Sequence, residues 1–185
     1  DPFAKVAGRG IRKLKDAGRE VITGVLEDEC RSLIRRFITF HTLHRPYITL
    51  KWAESADKYI DKNREDGQPV ILSTPLTSML VHKKRAEHSA IMVGTRTAEL
   101  DNPSLTVRNW QGRSPVRIVT DRQLRLSPKL RVFDGNVRTL VFTEKPCLPK
   151  PNGEYIPIEF KRDTLRQIMK KLYMQGLQSF FAEAG

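Results

Sequence analysis

Short runs of β-branched and aromatic residues recur along the chain with helical patterns between several of them, and this alternation constrains the fold more than any other feature. The runs are EVITGVL (residues 20–26), PYITLKWA (46–53), SAIMVG (89–94), PVRIVT (115–120), VRTLVFT (137–143) and LQSFFA (177–182). Between the first two, Leu26, Cys30, Leu33, Ile34, Phe37 and Ile38 fall at helical spacing, and Glu27, Asp28 and Glu29 suit the positive end of a helix dipole. A second helix is expected from Pro75, after a Ser73 or Thr74 cap. A third runs from an Asp163 cap through Leu165, Ile168, Met169, Leu172 and Tyr173 to Gly176. Strands alternating with helices predict an α/β sheet with helices on its faces.

At 185 residues and 39% apolar, the chain can bury one good core. No apolar run approaches the roughly 18 residues of a spanning helix, so no membrane partner is expected. The start, DPFAKVAGRGIRK, has no signal-type stretch and no Met; the expectation is a cytoplasmic protein, cut from a longer chain. Cys30 and Cys147 lie far apart without a CxxC, which gives no support to zinc or a disulfide framework. The formal charge of +12 admits nucleic acid or phosphorylated small molecules as partners. Residues 101–150 carry ten Lys and Arg against four Asp and Glu, spread through strand-like segments without aromatic interleaving. That distribution favours small anionic ligands over a nucleic-acid track.

Three stretches are candidates for function. In PYITLKWA, alternation sets Tyr47, Thr49, Lys51 and Ala53 on one face and Ile48, Leu50 and Trp52 on the other, so Lys51 interrupts a strand that otherwise reads as buried. The pattern leaves open whether its ammonium reaches solvent or enters a polar pocket. AIMVGTRTAELDNPSLTVR (90–108) begins as a strand and continues as a polar loop; if the strand is central, that loop occupies the ligand position of an open α/β sheet. Gly8 and Gly10 in VAGRGIRK lack the preceding strand of a dinucleotide fingerprint and read as a turn before a short helix. HTLHRP (41–46) places a Pro after a helix and marks a domain boundary.

ITLKWAESAD, KKRAEHSAIMVGTRTAELDNPSLTVR, SPVRIVTD and SFFAEAG, in that order and spacing, resemble the reductase domain of the bifunctional riboflavin biosynthesis deaminase/reductase family. Residues 1–37 resemble the end of that family's deaminase domain. The resemblance implies a dihydrofolate-reductase-like mixed sheet flanked by helices, over residues 44–185, preceded at 1–43 by a fragment of a cytidine-deaminase-like domain. It implies reduction, with NADPH, of the ribosylamino sugar of a pyrimidine phosphate to a ribitylamino chain. It further implies a homo-oligomer formed through the reductase domain. The family's zinc histidine, glutamate and PCxxC have no counterparts here, so no metal is expected in this stretch.

Carried over position by position, the resemblance implies cofactor contacts at Ala53, Thr97, Asp101 and Arg122, and substrate contacts at Lys51, Arg85, Leu105, Arg108 and Glu183. Arginine's planar fork suits phosphate, making Arg85 and Arg108 phosphate anchors, while Lys51 and Glu183 suit polarisation of the sugar and proton supply. The chain also departs from the family: Lys58 stands where a glycine is usual, Pro69 and Ile71 replace a serine and a tryptophan, and Arg122 replaces a serine. Arg122 with Arg125 would meet a 2′-phosphate or remain solvated. An alternative from another class is a non-catalytic, basic nucleic-acid-binding or scaffold module.

Overall fold

The computed structural model describes Phe3 and residues 6–64, 68–146 and 152–184. Its centre is a six-stranded sheet of β1 (Tyr47–Lys51), β2 (Ala90–Val93), β3 (Val116–Thr120), β4 (Thr139–Thr143), β5 (Glu154–Pro157) and β6 (Ser179–Glu183), in the order β1-β6-β2-β3-β4-β5. All five pairings are parallel. The antiparallel member that a mixed sheet requires is therefore not among the described strands.

Alternation along the central strands buries both faces. Ala90, Ile118, Leu140, Phe142 and Phe180 pack on one side against Ile168, Met169 and Leu172 of helix α6 (Thr164–Met174). Ile91, Val93, Val119, Val141 and Phe181 pack on the other side with Ala98 of helix α5 (Thr95–Asp101), with Leu105, and with Val81 of helix α4 (Pro75–Ala86). Double burial is why these strands read as continuous apolar runs. Helix α4 starts as the sequence predicts: the Thr74 hydroxyl accepts from the Thr77 amide at 3.2 Å, and Pro75 occupies the first turn.

Ahead of the sheet lie α1 (Arg9–Asp16), α2 (Glu27–Leu33) and α3 (Arg35–Leu43). Gly8, at φ +70°, precedes α1 as the turn the sequence suggests. The helix expected from Leu26 to Ile38 is interrupted at Ile34, between α2 and α3. Residues 20–26, expected as a strand, form none: β-branched composition needs a partner strand, and none lies beside them among the described residues. Phe40 of α3 is the buried anchor of this region, its ring 4.7 Å from that of Tyr173 on α6.

Two further expectations are revised. β1 is an edge strand, and Leu50 (65% exposed) and Trp52 (55%) face solvent, so Lys51 lies on the more covered face and does not interrupt a buried strand. Residues after Gly94 are not all loop: Thr95–Asp101 is helical, and the irregular connection begins only at Asn102. Cys147 lies outside the described residues.

Candidate active site

Because the strands are parallel, their C-terminal ends gather on one edge of the sheet, the edge where open α/β sheets hold ligands. Lys51 ends β1 and Glu183 ends β6, and the two are register partners, with the Ala184 amide donating to the Lys51 carbonyl at 2.9 Å. Glu183 is gripped by Arg85 from α4: Nε and Nη2 donate to its two carboxylate oxygens, each at 2.8 Å. Both side chains are almost entirely covered, at 11% and 12% exposure. Two expected substrate contacts thus form one bidentate pair, whose planar fork fixes the carboxylate in place.

Arg85 also donates through Nη1 to the Thr106 carbonyl at 3.2 Å, which ties the pair to the 102–108 connection. Arg108 lies two residues on; its guanidinium bonds Thr106 Oγ1 at 2.9 Å, and its backbone amide donates to Nδ1 of His82 at 3.0 Å. Leu105 has a different place from a simple contact residue. It is 1% exposed, its side chain belongs to the core, and its backbone is left-handed at φ +53°.

Two adjoining cavities open at this edge. One, of about 620 Å³, is lined by Gly94, Arg96, Thr97 and Glu183 among others; the second, of about 250 Å³, by Lys51, Ala53, Asp101 and Ala184. Ile60 and Ala184 border both. A methyl group built on Gly94 would meet nothing within 4 Å, so the backbone there faces open space. This groove falls in the size range of small-ligand sites, roughly 300–1,000 Å³. A separate cavity of about 380 Å³, bordered by Cys30, Ile34 and Ile38, contains none of the expected site residues.

Segment 54–64 forms part of the groove wall and is tied down at Asp101: Arg64 pairs with Asp101 and, at 2.9 Å, with Asp61. The Arg64 guanidinium holds the Asp61 carboxyl below the usual range. Lys58, in the usual glycine position, adopts φ +71°, the conformation a glycine takes readily, while its ammonium pairs with Glu54 at 2.7 Å. Pro69 and Ile71 line the smaller cavity. Arg122 lines neither; it pairs with Glu144 at 2.8 Å, and Arg125 pairs with Glu99 at 3.0 Å.

Two site residues escaped the sequence reading. Arg64 sits in a charged turn that reads as solvated. His82 is buried at 4% exposure, and its spacing of one helical turn from Arg85 is the signal that would have found it. Among the described residues, no three His, Cys, Asp or Glu side chains gather as metal ligands, and no helix is long and apolar enough to cross a membrane.

A parallel sheet bearing an anion-suited, carboxylate-containing groove at its C-terminal edge defines a small-molecule-binding α/β domain. The sequence profile of the RibD C-terminal domain matches residues 46–185, and the chain belongs to that family. The riboflavin biosynthesis protein RibD of Aquifex aeolicus is 35% identical over the whole of this chain, which covers 53% of that relative. Among solved structures, the Thermotoga maritima diaminohydroxyphosphoribosylaminopyrimidine deaminase/5-amino-6-(5-phosphoribosylamino)uracil reductase superposes with a TM-score of 0.88 at 37% identity, matching all of this chain and 52% of that one. Acinetobacter baumannii RibD gives 0.83 at 25% identity over the same share. The chain therefore spans about half the length of the relatives it matches.

Proposed function

We propose that this chain is an NADPH-dependent reductase that converts 5-amino-6-(5-phosphoribosylamino)uracil to its ribitylamino counterpart in riboflavin biosynthesis. The observation that carries the reading is the pairing of Lys51 with Glu183 across the register of β1 and β6, at the mouth of a groove and beside Arg85. The groove fits the cofactor in kind: open backbone at Gly94, hydroxyl and carboxylate groups at Thr97 and Asp101, and Arg96 and Lys62 as cations for phosphates. Ala53, Thr97 and Asp101 form the cofactor side in this reading. When bound, NADPH supplies the hydride.

The chain's own residues do the rest. Lys51 polarises the open-chain sugar and, with Glu183, delivers the proton that accompanies reduction. Arg85 keeps Glu183 oriented, and Arg108 holds the phosphate end, so that the acceptor carbon is aligned before transfer. We place the domain division at residue 43, between α3 and β1, with residues 1–43 as the end of a deaminase domain in a longer bifunctional protein; the start of the family match at residue 46 supports it.

Ligand-dependent thermal unfolding tests the reading, because a ligand bound only by the native state must raise the midpoint. NADPH raises Tm, and NADH or duplex DNA does so much less. A shift with DNA but none with NADPH would instead support a basic nucleic-acid-binding module.

A further inference from the structure

The 102–108 connection is an unusual object to find at a binding site without a regular hydrogen-bond ladder. Asn102 and Leu105 both have positive φ, +42° and +53°, a region that costs a leucine about 1–3 kcal/mol and persists only where surroundings enforce it. Four contacts enforce it here. The Leu105 side chain is buried in the core, the Thr106 carbonyl accepts from Arg85, and the Val107 amide donates to Ser114 Oγ at 3.1 Å. The fourth is His82, whose Nδ1 accepts from the Arg108 amide.

An amide N–H can only donate, so Nδ1 of His82 is unprotonated and the ring is neutral. Its surroundings enforce that state. Burial lowers its pKa below the ordinary range, the Arg85 and Arg108 cations push in the same direction, and Glu183 and the Thr106 backbone oppose them more weakly. His82 and Arg85, one helical turn apart on α4, therefore hold successive parts of the same segment. Arg85 makes the additional contact with Glu183, whereas Nδ1 of His82 holds the residue expected to carry the substrate's phosphate.

We infer that His82 is a positioning residue for the phosphorylated substrate, its neutral ring fixing the backbone of Arg108 and so the place from which the Arg108 side chain reaches the phosphate. This role rests on the proposed reductase function. It adds a specific expectation: His82 contributes to substrate affinity, through Arg108, and not to the cofactor side of the groove.

The test compares His82→Phe, which fills the space without an acceptor, with His82→Asn, whose side-chain oxygen can reach the Nδ1 position. KM for 5-amino-6-(5-phosphoribosylamino)uracil, kcat, NADPH affinity and Tm are measured on each. His82→Phe raises KM about tenfold, the effect of one unmade hydrogen bond, with NADPH affinity and kcat within about twofold of the parent. His82→Asn recovers most of that loss, which a merely space-filling role would not allow. In an Arg108→Ala background, His82→Phe adds little, because the two act through one contact. An unchanged KM in His82→Phe, or equal losses of substrate and NADPH affinity, would overturn the role while leaving the reductase reading in place. A parent protein that neither binds nor reduces the compound would overturn that reading, and this role with it.

Discussion

Arg85 and Glu183 are separated by 98 positions, yet each donor of the guanidinium that faces the carboxylate finds its own oxygen. Residue types that suit the chemistry were legible one at a time; their pairing was not, because nothing local connects α4 to β6. Arg117 illustrates the opposite failure. It reads as one more basic residue of a strand, but it is wholly buried on β3, bound to Asp134 at 2.6 and 3.2 Å and to the Val132 carbonyl, with its Nε unpartnered. The Arg117 guanidinium lowers the Asp134 pKa from 3.8 to about 2. The folded state thus releases this proton more readily than the unfolded chain, so the stabilisation is present above pH 3.8 and is lost as pH falls towards about 2. Asp134→Asn leaves the buried charge without its counter-ion and should cost about 3–5 kcal/mol in denaturant unfolding, and Arg117→Met in the same chain should restore most of it. An Asp134→Asn protein as stable as its parent would show that the pair is dispensable.

Elements with long periodic patterns or explicit start signals were the legible ones. Helices α4 and α6 and strands β1 to β4 and β6 all lie where pattern places them, give or take their ends. α6 nevertheless lacks its expected cap, since Asp163 is left-handed and its side chain makes no capping bond. Helix α5 was missed because seven residues beginning TRTAE carry too little periodicity, and its stability comes from packing Ala98 into the core. β5 was missed because EYIP is four residues long and ends in proline; it joins the sheet only at the edge. The cap of α4 matters to the site, because this helix presents both His82 and Arg85. Thr74→Ala removes the acceptor for the Thr77 amide and should lower stability by about 1 kcal/mol, seen as a lower Tm with little change in kcat. A Tm equal to the parent's would mean that Pro75 and the helix body alone set the start.

For the molecule as a whole, the α/β class was legible and the strand order was not. That β6, last in sequence, inserts between β1 and β2 depends on packing over more than a hundred residues, and it is this insertion that brings Glu183 beside Lys51. Several of the basic groups are held in ion pairs, Arg85 with Glu183, Arg117 with Asp134, Arg122 with Glu144 and Arg138 with Glu154, and the net charge of +12 is the excess of basic over acidic residues. What remains distinctive is the groove at the C-terminal edge of a parallel sheet. The central claim, that this groove reduces a phosphorylated pyrimidine with Lys51 at the acceptor, is tested most directly by following substrate-dependent NADPH oxidation in the parent and in Lys51→Met, alongside NADPH affinity. Methionine keeps much of the apolar stem, so folding is spared. Loss of a charged hydrogen bond made in the transition state should lower kcat on the order of a hundredfold with NADPH binding intact. A Lys51→Met protein within a few-fold of parental kcat would contradict the claim.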